Sequence, residues 1–385
     1  MAASPRTVAY SASRRRLLQA ALLGCAVHPL ALACGSRPVR VRAGTAAASR
    51  RLAPVIVAPD RVIRQVVGLR PYRRSGFRVA SDRLGDKIIV HNYGHGGGGV
   101  SLSWGTAHLA VERALATSHR SAAVLGCGAV GLASARLLQD AGFDVTIYAR
   151  DLPPDTTSNI AGAQWTPTTV GDADRRTADS DAEFVRASEF AFRYFQSLVG
   201  ARYGVWWRDN YFLSNVPTTG NPWEVGLIGH LLPTETLDPE DHPFRSLHAR
   251  RRRTMHVEPA IYLAAVLQDF RVAGGHVVVR EFADRRAIGE LDEPLVVNCT
   301  GLGAGTLFED PDVMPIKGQL TVLVPQPEVD YITIGPGPGT LYMMPRQDGV
   351  ILGGTQGRGD ASLTVDEGDA GRILDGHRRL FGLMT

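Results

Sequence analysis

Lysine is nearly absent. Of 42 Lys and Arg side chains only Lys87 and Lys317 are lysine, so guanidinium groups carry the positive charge. The formal net charge is a modest +4, and part of the basic excess lies within the first 52 residues. Aromatic residues make up 7% of the chain, and no basic groove interleaved with them is visible, which argues against a nucleic-acid partner. Cysteine is scarce, at four residues, with no CxxC and no metal-ligand spacing. Neither a disulfide framework nor a metal site is expected. A long hydrophobic run is missing too: the apolar stretch from Leu17 to Ala33 is interrupted by His28 and Pro29 and is too short for a good membrane span. What is present, 44% hydrophobic and 21% charged residues over 385 positions, suits a globular protein of about two domains.

The N-terminus reads as a targeting segment over residues 1–34. Ser13-Arg14-Arg15-Arg16-Leu17-Leu18-Gln19 fits the twin-arginine export pattern, and Ala31-Leu32-Ala33 is an A-x-A cleavage site. The expectation is an exported, periplasmic or extracytoplasmic protein, against the alternative of a chance basic-apolar start to a cytoplasmic one. Cys34 follows the cleavage site directly, so a lipid anchor at Cys34 stays open. Residues 35–58, rich in Ala, Arg, Ser and Pro, read as a disordered linker.

The clearest unit is Val124 to Gly142. "AAVLGCGAVGLASARLLQDAGFDVTIYA" reads as strand, glycine turn, amphipathic helix, glycine stop and strand. Gly126, Gly128 and Gly131 form a GxGxxG where a dinucleotide fold needs it. Such glycines allow a tight turn and bring the backbone of Gly126 to Gly131, including Ala129 and Val130, against a pyrophosphate at a helix N-terminus. The next strand should end in an acid for a ribose hydroxyl, but Arg150 stands there and Asp151 comes one step late. Arg150 could instead meet a ribose phosphate, or be a solvated neighbour of the pyrophosphate. Further on, residues 183–199 look helical, Tyr203 to Asn215 looks strand-like, and an extended "MHVEP" runs into a helix. "LVVNCTGLGAG" is an apolar strand with another glycine turn, and "KGQLTVLV", "TLYMMPR" and "GVILGGT" suggest an antiparallel sheet. The fold class expected is α/β, a Rossmann-like nucleotide domain interleaved with a mainly antiparallel second domain.

Several separate motifs resemble one family. "IVHNYG" at 89–94 with Gly96, Gly97, Gly99, Gly105 and Ala107 is similar to the signature of the FAD-dependent D-amino-acid oxidases. So are "GLRP" at 68–71, "TTSNIAGAQWTP" at 156–167, "VVNCTG" at 296–301, "KGQ" at 317–319, "YMMP" at 342–345 and "LGG" at 352–354. The order differs, because in that family GLRP and HNYGHG come last. A circular permutation is the economical reading, with "ATSHR" joining the family's last helix, Trp104 to Leu115, to the first nucleotide-domain strand. The expected division is a permuted segment over 59–120 and an FAD-binding core over 121–175. A substrate-domain part follows over 176–255, a second FAD-domain part over 256–320, and a last substrate-domain part over 321–385.

The resemblance implies FAD as cofactor and a D-amino acid as substrate, with molecular oxygen the expected acceptor. It gives Arg70 the substrate carboxylate, Tyr342 a hydrogen bond to the same group, and the Gly97 carbonyl the substrate amine. A second family tyrosine falls on Pro338. Gly99, Val100 and Ser101 meet the flavin pyrimidine edge, where a helix N-terminus favours anionic reduced flavin. Thr156, Thr157 and Ser158 touch phosphates and the ribityl chain, and Gly162, Ala163 and Gln164 pass along the ring. His91 and His95 are read as structural, Arg73 and Arg74 as solvated. Trp206, Trp207 and Tyr211 either wall the pocket or pack in a core strand. Alternatives are a dehydrogenase of the same fold with another acceptor, an NAD(P)-dependent oxidoreductase, or a flavin-bearing binding protein without turnover.

Overall fold

A computed structural model describes residues 52–245, 247–336 and 340–384. The expected targeting segment, Cys34 and Pro338 lie outside the described residues. In chain order the elements begin with β1 (Val62–Arg73), β2 (Arg78–Leu84), β3 (Lys87–Tyr93), α1 (Gly99–Leu115), β4 (Ser121–Leu125), α2 (Ala129–Asp140) and β5 (Asp144–Ala149). Next come α3 (Thr157–Ile160), α4 (Ala178–Ser197), β6 (Val205–Ser214), α5 (Pro222–Ile228), β7 (Thr234–Leu237), β8 (His248–Val257), α6 (Pro259–Val272) and β9 (His276–Val279). The chain continues with α7 (Arg285–Gly289), β10 (Leu295–Asn298), α8 (Gly303–Leu307), β11 (Val313–Leu323), β12 (Tyr331–Ile334), β13 (Tyr342–Arg346), β14 (Gly349–Gly353), β15 (Gly357–Arg358) and α9 (Glu367–Gly382).

Among the described residues the strands form two sheets. The first has the order β2-β3-β10-β4-β5-β9 and is parallel from β3 onward. Its central strands are covered on both faces, which is why "IIVHNY", "AAVL" and "LVVN" read as apolar runs and not as alternating ones. The second sheet has the order β1-β11-β14-β13-β12-β6-β8-β7, with β15 also on β11. It is antiparallel throughout except where β12 lies parallel to β6. One of its faces packs Leu323, Met343, Val350 and Leu352 against Ile373 and Leu380 of α9. The other carries Leu320, Val322, Ile332, Met344 and Ile351, with Ile160 of α3 against them.

Three expectations need correcting. The linker expected to reach residue 58 ends earlier, because Leu52, Val55 and Val57 are buried with Tyr331 and Phe381. The Tyr331 hydroxyl donates to the Ala53 carbonyl at 2.7 Å, and the Gln326 amide clasps both backbone groups of Ile56 at 2.8 and 3.2 Å. A boundary between 320 and 321 would cut β11; the chain changes sheet after α8 instead. The helix expected from Trp104 starts five residues sooner, at Gly99.

That helix is nearly all buried and packs against α2, α4 and β3. Its closest approach is at Gly105, where an added Cβ would fall inside the backbone carbonyl of Ala187 on α4. Gly105→Ala therefore has to push two backbones apart, and overpacking of this kind costs about 1–3 kcal/mol. A thermal melt should record a clearly lower midpoint for Gly105→Ala, and an unchanged midpoint would contradict this packing.

Candidate functional site

The GCGAVG and HNYGHGGGG loops leave the C-terminal ends of β4 and β3, which flank β10 on either side. Three parallel strands therefore deliver three loops to one edge, the crevice where open α/β sheets hold ligands. Asn298, at the end of β10, links them: its side chain meets His91 Nδ1 at 3.1 Å and accepts from the Thr300 N–H and hydroxyl at 3.1 and 2.7 Å. Asn92 donates to Ser134 of α2 at 3.1 Å, so the strand of the second loop is also tied to the helix of the first.

The first turn fits a pyrophosphate. Gly126 has φ +106°, and a Cβ there would lie 2.6 Å from the Cys299 carbonyl, while a Cβ at Gly131 would overlap the Gly126 carbonyl. α2 then begins at Ala129 with no side-chain cap from Gly128, and the Ala129 N–H donates to Ser158 Oγ at 3.0 Å. Ser158 thus comes from the threonine-serine segment to the same helix end as the glycine turn. Thr156 is buried and donates to Asn159 Oδ1 at 2.8 Å, whereas Thr157 is exposed at the start of α3. Arg150 and Asp151 end β5 as a surface ion pair at 2.8 Å, with Glu281 completing it; Arg150 is two-thirds exposed.

Residues 159–166 supply the second part of a cofactor fit. Ala163 adopts a left-handed φ of +42°, its carbonyl accepts from the Val257 N–H at 2.9 Å, and Gln164 bridges to His256 on β8. The Gln164 side-chain oxygen accepts from the Asn210 side-chain amide. Around this segment Asn159 Nδ2, Trp165 Nε1, Thr166 Oγ1 and Asn210 Oδ1 are buried without a protein partner, and the His256 ring is fully buried beside them. Buried polar atoms are normally satisfied, so this string of donors and acceptors suits a polar ring system lying along the segment. Gly99, Val100 and Ser101 form the first turn of α1, whose N-cap Gly98 again contributes no side chain.

The substrate anchors expected from the sequence share one sheet face. A Cβ at Gly318 would lie 2.5 Å from Arg70 Nη1, and one at Gly353 would lie 2.5 Å from the Tyr342 hydroxyl. Two glycines on neighbouring strands thus leave room for the guanidinium and the phenol. Arg70 reaches only the Lys317 and Thr355 carbonyls, each at 3.5 Å, and has no carboxylate partner among the described residues. Its neighbours differ. Arg73 is not solvated as expected but pairs with Asp310 at 2.9 Å, and Arg74 pairs with Asp172 at 3.2 Å. Gly97 is exposed at the loop tip, where its N–H meets the Thr169 carbonyl at 3.4 Å.

The pocket-wall reading of Tyr211 is overturned. It packs with Phe244 and Tyr331 in the α9-side core, on the face away from Tyr342, because side chains alternate along β6. Trp206 and Trp207 line a separate cavity of about 250 Å³ with Arg208, Asp209, Arg253 and Asp330. Sequence reasoning missed Asn210, His256 and Asp172, none of which belongs to a motif; their roles come from partners distant in the chain.

His91 and His95 are packed residues. His95 meets Thr106 Oγ1 at 2.9 Å and stacks on Phe77, and His91 lies edge-on to Phe308. Burial lowers the His91 ring to about 4, with the Arg78 charge adding to the effect. Burial alone takes His95 down to about 3. His256 falls to about 3 through burial and then the guanidiniums of Arg208 and Arg346. His377, which contacts the Ile373 and Tyr342 carbonyls, falls to about 4 through burial.

Residues 121–383 match the family model described as FAD dependent oxidoreductase. The D-amino-acid oxidase of Rubrobacter xylanophilus is 31% identical over 257 residues, covering 66% of this chain and 74% of that one. The D-aspartate oxidase of Homo sapiens is 29% identical over 258 residues, covering 66% and 73%. Among solved structures, the glycine oxidase of Geobacillus kaustophilus superposes with a TM-score of 0.50 at 16% identity, covering 68% of this chain and 78% of that one. That last likeness is one of fold. The family match begins at β4 and leaves β1, β2, β3 and α1 ahead of it.

Four of the buried histidines, His91, His95, His256 and His377, set a pH dependence. Each is neutral in the folded protein and has an ordinary value of 6.5 when released. As pH falls below that value the unfolded chain takes up protons that the folded chain refuses, so stability is full above it and declines towards about 4. Urea unfolding should give a lower midpoint at about pH 5 than at about pH 7, and equal midpoints would contradict neutral burial.

Proposed function

This chain belongs to the FAD dependent oxidoreductase family, and on that footing we propose that it oxidises a D-amino acid at Cα. The products are the imino acid, which water converts to the 2-oxo acid and ammonia, and hydrogen peroxide from molecular oxygen. FAD, when bound, accepts the hydride equivalent from Cα. The protein's own task is to hold the substrate. Arg70 takes the carboxylate as a bidentate ion pair, the Tyr342 hydroxyl donates to the same group, and the Gly97 carbonyl accepts from the amine. The N–H groups at Gly99, Val100 and Ser101 favour the negative charge of the reduced cofactor.

One observation carries this reading: a half-buried guanidinium without a carboxylate partner, accommodated by Gly318 beside the Tyr342 phenol over Gly353. An unpaired guanidinium on a partly covered face calls for an anion. Arg73, three residues on, already has one.

The circular permutation belongs to the same proposal. In its support, β3 pairs with β10 in the nucleotide sheet and β1 with β11 in the other, although both precede the family match. The first and last described residues also come close, since the Tyr331 hydroxyl contacts both the Ala53 carbonyl and Met384 Sδ, the latter at 3.7 Å. Export rests on the twin-arginine pattern alone; in the producing cell, Arg14→Lys with Arg15→Lys should hold the protein in the cytoplasm, and unchanged secretion would reject that route.

Purified protein should be yellow and should bleach anaerobically with D-alanine but not with L-alanine. A colourless protein that binds NADPH would overturn the flavin reading. Arg70→Ala should raise KM for the D-amino acid by about a hundredfold, the scale of a lost bidentate charged pair, with flavin content retained. Unchanged KM would remove Arg70 from the site.

A further inference from the structure

Residues 166–172, which follow Gln164 and Trp165, fold back over the HNYGHGGGG loop. A Cβ at Gly97 would lie 2.8 Å from the Thr168 carbonyl, one at Gly98 would lie 2.8 Å from Val170, and one at Gly96 would overlap the Thr169 carbonyl. Thr169 itself is held in a left-handed φ of +57°. A threonine keeps such a conformation only where its surroundings impose it.

The anchor of this strap is Asp172. Its carboxylate accepts from the Tyr72 hydroxyl at 2.6 Å, from Arg358 at 2.9 and 3.1 Å, and from Arg74 Nε at 3.2 Å. Its N–H donates to the Arg74 carbonyl at 2.7 Å. These partners reach both substrate anchors. Tyr72 lies two residues after Arg70 on β1, on the same face, and is bridged to His95; a Cβ at Gly96 would meet its ring at 2.8 Å. Arg358 is on β15, where it pairs with Ile316, the residue that Arg70 pairs with across β1 and β11. Its guanidinium also lies 4.9 Å over the Tyr72 ring.

We propose that Asp172 is the positioning residue that fixes the separation between the Arg70 guanidinium and the Gly97 carbonyl. It is bound to the strand of the first, to the strap whose Thr169 carbonyl meets the Gly97 N–H at 3.4 Å, and to β15, which pairs with β11 as the strand of Arg70 does. The hydrogen bonds from Arg358 and then Tyr72 hold its carboxyl well below the usual carboxylate range. Asp172 touches neither anchor and acts through Tyr72 and Thr169. A substrate that uses one anchor is indifferent to their spacing, whereas one that uses both is not. This inference rests on the roles given to Arg70 and Gly97 above.

The test uses flavin-loaded protein and two unreactive ligands, benzoate, which has only the carboxylate, and 2-aminobenzoate, which adds the amine. Binding is read from the flavin absorbance. Asp172→Ala should raise the Kd of 2-aminobenzoate by about tenfold more than that of benzoate, and Asp172→Asn should fall between wild type and Asp172→Ala. Equal weakening of both ligands, or weakening of neither, would overturn the proposal, since a purely structural clamp has no reason to discriminate. If Asp172→Ala does not load FAD, Tyr72→Phe removes one of the hydrogen bonds and should give the same preference at a smaller ratio; no preference there overturns it equally. Wild-type protein that is yellow but binds neither ligand would instead reject the carboxylate and amine anchors themselves.

Discussion

The site depends on the side-by-side pairing of β3, β10 and β4. All three run parallel, so the loops that leave them emerge at one edge, and none of the three has an exposed face to spare. A strand buried on both faces has a single register that keeps its apolar side chains dry. That register places Asn298 level with His91 on one side and Leu125 on the other. Everything that follows in each loop starts from those positions. The GCGAVG turn, the HNYGHGGGG loop and the CTG turn are three outlets of one packed strand triplet.

The second sheet contributes the anchors, and its logic is different. Gly318 and Gly353 carry no side chain where Arg70 and Tyr342 need space. The sheet yields local packing on that face, and the opposite face compensates with the larger core around α9 and the strap from Leu52 to Val57. Asp172 then ties this sheet to the 166–172 segment through Tyr72, Arg74 and Arg358.

Much of this was legible in the sequence because it depends on near neighbours. The strand-turn-helix around Gly126 and the buried runs ending in His91 and Asn298 announce themselves through spacing and apolar content. Arg70, Arg73 and Arg74 look alike in sequence, because what separates them is the presence or absence of a carboxylate 98 to 237 residues away. Tyr211 sits in a strand with aromatic rings on both faces, so composition carries no sign of which face is the core. The apolar residues at 52, 55 and 57 were hidden in an Ala- and Pro-rich stretch whose core partners, Tyr331 and Phe381, come from the far end of the chain. Asp172 and His256 belong to no motif, and only the folded chain gives them partners or surroundings.

The central claim is that the two glycine-rich loops serve one cofactor. A crystal structure of the purified, cofactor-loaded protein tests it most directly. The account predicts FAD with its pyrophosphate at the N-terminus of α2 and its ring system between the N-terminus of α1 and residues 162–164. A dinucleotide held at α2 alone, with its redox-active ring away from Gly99, would contradict it.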